Sequence, residues 1–118
     1  MDVTPVSVHY YQTETGRCPY QEWFDALDRQ IQVVLDARMA RVRCGLLGEA
    51  RSLGGGVWEL KFDVGPGYRI YFGRTGLAIV LLLHGGIKKG QSGDIATARA
   101  RWADYLERTK HEEGGKLS

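Results

Sequence analysis

VWELKFDVGPGYRIYF, residues 57–72, is the stretch whose reading decides the fold. Its polarity alternates with period two, the spacing at which a strand presents successive side chains to opposite faces. Trp58, Leu60, Phe62 and Val64 fall on one face, directed toward a core, and Glu59, Lys61 and Asp63 on the other. Gly65-Pro66-Gly67 interrupts the pattern as a tight turn, because its glycines can take positive φ. Tyr68, Ile70 and Phe72 then resume the apolar face, with Arg69 and Tyr71 opposite. The stretch is an antiparallel hairpin. The turn puts Lys61 roughly opposite Arg69 or Tyr71, so Glu59, Lys61, Arg69 and Tyr71 are expected on one sheet face.

Downstream, Arg74-Thr75-Gly76 is a second turn, and LAIVLLLH (77–84) is an almost unbroken apolar run. Such a run reads as a central strand covered on both sides. Gly85, Gly86 and Gly90 frame Ile87-Lys88-Lys89 as a loop. A last helix is predicted over 92–108, with Ser92 as cap, Asp94 near its positive end and a stripe of Ile95, Ala98, Trp102 and Leu106. Residues 111–118 read as a polar, flexible tail to a single domain over 1–110.

Upstream, Gly54-Gly55-Gly56 reads as a plain loop, since it lacks the Lys-Ser/Thr that a phosphate loop needs. A helix is predicted over 28–44, with Ile31, Leu35, Val42 and Leu46 as its stripe and Val34 and Met39 on its flanks. Arg38 on the shoulder of that stripe reads as a snorkelling or salt-bridged side chain. A shorter helix fits 20–27 with Pro19 in its first turn, and residues 6–12 form a first strand. The expected order is an N-terminal strand, a two-helix hairpin, a three-stranded antiparallel meander and a C-terminal helix, an α+β fold. The first strand must pair at an edge of the meander or beside its last strand.

Composition narrows the function classes. A chain of 118 residues with 43% hydrophobic and 25% charged residues suits one folded domain with a modest core. The net charge is +2, from 16 basic and 14 acidic residues, which excludes a strongly basic nucleic-acid binder but allows a locally basic face. Cys18 and Cys44 are too few and too far apart for a disulfide framework or a zinc site, and read as reduced thiols. The start, MDVTPVSVHYY, lacks the pattern of a signal peptide, and no apolar run approaches a membrane span, so a cytoplasmic protein is expected. No nucleophile elbow, P-loop or metal-spaced His cluster is present.

The chemistry-bearing feature is the polar face of the hairpin. An acid, two or more cations and a phenol on one rigid sheet suit a phosphodiester. Metal-free RNA cleavage needs a base for the ribose 2′-OH, a cation for the phosphorane and an acid for the leaving oxygen. Arg69 suits the phosphate, because its guanidinium donates two parallel hydrogen bonds. Glu59 is the candidate base, Lys61 a charge stabiliser and His84 the acid if it faces the same side. Tyr71 is a candidate platform for an unstacked base, and Lys88 and Lys89 lie where they reach the rim. The same alternation of charges is also what an ordinary solvated sheet face looks like.

Three segments together resemble the RelE/ParE toxin superfamily, in particular its HigB-like branch of phage-derived addiction-module killer proteins. They are Gly-Val-x-Glu-Leu before the turn, Gly-Pro-Gly-Tyr-Arg-Ile-Tyr-Phe over 65–72, and Lys-Lys-x-x-x-x-Asp-Ile-x-x-Ala over 88–98. The resemblance covers about residues 20–108. It implies a RelE-like fold and a toxin of a type II toxin–antitoxin system. It implies a ribosome-dependent mRNA endoribonuclease (an mRNA interferase) that uses neither metal nor cofactor and inhibits translation. Arg69 matches the family's arginine for the scissile phosphate, Glu59 and Lys61 the polar positions of the preceding strand, and Lys88 and Lys89 its basic pair for RNA backbone. Tyr105 and His111 are not matched to the tyrosine or histidine that some relatives use near the C-terminus. The implied partners are a cognate antitoxin of helix-turn-helix type, the ribosome and mRNA, with operator DNA reached only through the antitoxin and no membrane. The alternatives within the resemblance are a ParE-like inhibitor of DNA gyrase and an inactive toxin-fold protein acting as an antitoxin-binding corepressor.

Overall fold

The computed structural model describes the backbone of residues 6–76 and 79–117 and the side chains of 6–76 and 79–110. Leu77 and Ala78, where the apolar strand was expected to begin, lie outside the described residues, as do the side chains of the 111–118 tail, His111 included. The elements in chain order are β1 (Ser7–Tyr10), α1 (Pro19–Asp25), α2 (Arg29–Arg43), β2 (Ala50–Gly54), β3 (Val57–Phe62), β4 (Tyr68–Thr75), β5 (Ile79–Ile87), a 3-10 turn (Lys88–Gly90) and α3 (Gln91–Leu117). This is an α+β fold around one five-stranded mixed sheet of order β1-β5-β4-β3-β2.

The 57–72 segment is the expected hairpin, and of the two open registers it takes the one that sets Lys61 opposite Arg69 and Glu59 opposite Tyr71. The Gly67 N–H donates to the Val64 carbonyl at 3.0 Å and closes the turn, with Gly67 at φ 80°. β1 pairs beside the last strand, β5, and does so in parallel. β5 is covered on both faces as its composition implies, but the middle strand of the sheet is β4.

Three features differ from the expectations. The meander has four strands, because residues 50–54 form β2 against β3, with Arg51 opposite Glu59. ARSLG hides this strand: it is short, and Arg51 and Ser52 are exposed, so no apolar alternation announces it. Gly55 and Gly56 are thus a hairpin turn rather than an unstructured loop. Next, α3 begins at Gln91 and continues to Leu117, beyond the expected end at 108. Ser92 therefore lies inside the helix and does not cap it. Lastly, the polar face of the hairpin is not an open sheet surface. α3 packs on it, and Val57, Tyr71, Leu81 and Leu83 form a second core with Ala98 and Trp102.

The opposite face carries the larger core, where α2 contributes Leu35, Met39 and Val42 against Leu60, Phe62, Ile70, Phe72, Val80 and Leu82. Val34 and Leu46, expected on or near this stripe, are 41% and 47% exposed. Arg38 snorkels as expected: its guanidinium covers Phe62 at 5.1 Å and donates to the Leu47 and Lys61 carbonyls. Bare backbone lets the layers close. A Cβ at Gly73 would lie 2.0 Å from the Trp102 ring, and one at Gly86 2.0 Å from Asp94 Oδ2. Trp102 is also held by its Nε1–H, which donates to the Gly55 carbonyl at 3.0 Å, so α3 clamps the β2–β3 turn.

Candidate functional site

The strand register lines up a polar row across the sheet, from Arg51 on β2 through Glu59 on β3 and Tyr71 on β4 to His84 on β5. Lys61 and Arg69 form the next pair toward the turn. Where α3 begins, the covering layer stops, and a cleft of about 370 Å³ opens over this part of the sheet. Glu49, Arg51, Glu59, Lys61, Arg69 and Gln91 line it together with Ala50. Gln91 is the first residue of α3, so the positive end of the helix dipole also faces the cleft.

Glu59 is the hub. Only 3% exposed, it accepts a hydrogen bond from Arg51 Nη2 on Oε1 at 3.1 Å and one from Gln91 Nε2 on Oε2 at 2.8 Å. Arg69 is 6% exposed, and its Nε lies 4.0 Å from Glu59 Oε2, too far for a hydrogen bond. That Nε has no hydrogen-bond partner among the protein's described atoms. A buried guanidinium nitrogen without an acceptor is costly and calls for an explanation. Lys61 is half exposed at the mouth, with Nζ 3.7 Å from Asp63 Oδ1. Three cations and two carboxylates leave the cleft with one net positive charge.

Four of the sequence-derived residues therefore meet: Glu59, Lys61 and Arg69 line the cleft, and Tyr71 lies beneath it. Tyr71 is fully buried, so its ring has no face to offer a nucleobase. Burial first, then the neighbouring Glu59 and Asp94 carboxylates, push its hydroxyl well above the ordinary phenol range. His84 lies on the same side of the sheet but beyond Tyr71, with the two rings stacked at 6.2 Å. Its Nδ1 faces Arg101 Nη1 at 2.8 Å and its Nε2 faces Asp94 Oδ1 at 2.7 Å. A guanidinium only donates, so Nδ1 accepts and Nε2–H donates to Asp94. Both nitrogens are engaged away from the cleft, which removes His84 from the position of an acid there. It pins the start of α3 to β5 instead. Lys88 and Lys89 are exposed in the 3-10 turn just before Gln91 and do not line the cleft.

Arg51, Gln91 and Glu49 were not anticipated. Arg51 was legible in principle: had the three glycines been read as a hairpin turn, ARSL would have paired with VWEL and faced Arg51 to Glu59. Gln91 depends on where α3 docks, and no local signal gives that. Among the described residues no group of three or more His, Cys, Asp or Glu side chains could hold a metal ion, and no helix is long and apolar enough to cross a membrane. Cys18 and Cys44 are both free.

No known family profile matches the sequence. Over 81 residues, 68% of this chain, it is 33% identical to an uncharacterized protein of Haemophilus influenzae, of which the match covers 82%. At that identity and coverage, the chain belongs to the same family as this Haemophilus influenzae protein.

Proposed function

We propose that the protein is a RelE-like toxin of a type II toxin–antitoxin system, a ribosome-dependent endoribonuclease whose cleft takes a single-stranded mRNA phosphodiester. The observation that carries the reading is Arg69: a nearly buried guanidinium whose Nε makes no hydrogen bond, 4.0 Å from Glu59 in a cleft that Lys61 and Arg51 also line. A phosphate in the cleft meets in Arg69 a guanidinium suited to donate to its oxygens. The resemblance of residues 20–108 to the RelE/ParE superfamily supports the same reading.

In the proposed reaction the scissile phosphate sits on Arg69, with Lys61 at the mouth offsetting charge on the phosphorane. The ribose 2′ oxygen attacks phosphorus while its proton passes to the Glu59 carboxylate. The new P–O2′ bond forms as the P–O5′ bond breaks, leaving a 2′,3′-cyclic phosphate on one fragment. The departing 5′ oxygen takes a proton from the Lys61 ammonium or from water and ends as a hydroxyl. The scheme needs neither metal nor cofactor. Lys88 and Lys89 contact RNA backbone, and the cognate helix-turn-helix antitoxin neutralises the toxin.

A second reading, binding to DNA gyrase without cleavage, draws on the exposed Val33 and Val34 of α2, 55% and 41% accessible. Induction in cells with mapping of mRNA 5′ ends separates the two. The nuclease reading expects growth arrest with codon-phased cuts, both lost in Arg69→Ala. Arrest without cuts that persists in Arg69→Ala would favour gyrase, and a wild type that arrests nothing would favour the corepressor role.

A further inference from the structure

We infer that Arg51 is a second ligand for the substrate phosphodiester, exchanged onto it from Glu59 as RNA enters; the inference rests on the nuclease reading above. Three observations lead to it. The Arg51 side chain is 63% exposed while the carboxylate it grips is 3% exposed, so the cation is free to swing and the anion is fixed. Arg51 sits on β2, whose other side has no neighbouring strand among the described residues, so its motion disturbs no further strand pairing. Arg69, by contrast, is held within the sheet with its Nε unsatisfied. A phosphate bound at Arg69 therefore lies beside Arg51 and competes with Glu59 Oε1 for it.

The exchange has two consequences. The phosphodiester gains a second guanidinium, and the net single positive charge of the cleft is matched by one phosphodiester monoanion rather than by a dianionic terminal phosphate. Glu59 Oε1 also loses its donor at that moment, while Gln91 keeps Oε2 in place. Oε1 then has a lone pair free to take the ribose 2′ proton. Arg51 and Gln91 thus hold Glu59, and entry of substrate releases one of its two oxygens.

The test uses a short fluorescein-labelled 2′-O-methyl oligoribonucleotide, which cannot supply the 2′ nucleophile, titrated with the full chain by anisotropy over a salt series. Arg51→Ala is expected to weaken binding about tenfold and to reduce the salt slope by about 0.7, one single-strand phosphate contact. Arg51→Lys should keep the slope and recover only part of the affinity, because the charge remains and the fork does not. Glu59→Gln should tighten binding, and that gain should shrink when Arg51 is already alanine. If Arg69→Ala weakens binding while Arg51→Ala matches wild type in affinity and slope, the Arg51 assignment is overturned and the nuclease reading stands. If the wild type shows no binding that Arg69→Ala lowers, the Arg51 assignment is overturned, and the mRNA 5′-end mapping alone decides the nuclease reading.

Discussion

Consider replacing the buried Glu59–Arg69 pair by neutral side chains of similar size, Glu59→Gln and Arg69→Met, singly and together. At 4.0 Å, and with an effective dielectric constant of about 20, the mutual attraction is about 4 kcal/mol. Against it stands a desolvation cost of several kcal/mol for each ion, since both are almost wholly out of water. Glu59→Gln strips Arg69 of its nearby counter-charge and leaves a buried cation, so it should cost about 3 kcal/mol. Arg69→Met leaves Glu59 with Arg51 and Gln91 and should cost only about 1 kcal/mol. The double variant removes both desolvation costs and should return to within about 1 kcal/mol of wild type or exceed it. The coupling is then about 3 kcal/mol. Urea unfolding at neutral pH, read by the fluorescence of Trp23, Trp58 and Trp102, measures all four corners of the cycle. Additive losses, with the double variant about 4 kcal/mol below wild type, would refute the reasoning and make the pair a structural one. Recovery would mean that the fold does not need the pair, which leaves function as the reason for keeping it.

Other outcomes follow from the packing. Gly73→Ala drives a Cβ into the pinned Trp102 ring and breaks its bond to Gly55, so urea melts should show a loss of about 3 kcal/mol or more. Gly76→Ala meets open space and should cost only the strain of its φ of 62°, about 1 kcal/mol. Asp94→Ala unties His84 Nε2 and should cost about 1–2 kcal/mol in the same assay. The Tyr11 hydroxyl donates to Asp104 at 2.6 Å and, with Arg108, holds that carboxyl below its usual range. A depressed carboxylate pKa adds stability above the unfolded value of about 4, and this is lost as pH falls through the folded value. The stability gap between wild type and Tyr11→Phe should accordingly be open at neutral pH and close in acid; a gap that widens in acid would contradict this.

Much of the fold was legible because its decisive segment is local. The 57–72 hairpin carries its own turn, and period two settles which residues share a face, while the structure decides that Lys61 pairs with Arg69 rather than with Tyr71. The helices between β1 and the meander likewise announce themselves by spacing. What the sequence hid depends on docking. β2 has no apolar alternation and exists because β3 offers it an edge. Tyr71 reads as a polar-face residue, yet α3 covers it, and the Trp102 that seals it is about thirty residues away. His84 fell on the expected side, but Asp94 and Arg101, both on α3, decide what its nitrogens do. The site was therefore half visible: its residues on β3 and β4 were, and those of the edge strand β2 and of the start of α3 were not.

The most direct test of the central claim is cleavage of a ribosome-bound mRNA in a reconstituted translation system. Purified wild-type protein is predicted to cut the ribosome-bound mRNA in phase with its codons and to leave a 2′,3′-cyclic phosphate, with no cut by Arg69→Ala protein of equal stability. An Arg69→Ala protein that cuts as the wild type does, or a correctly folded wild type that leaves programmed mRNA intact, would contradict the account.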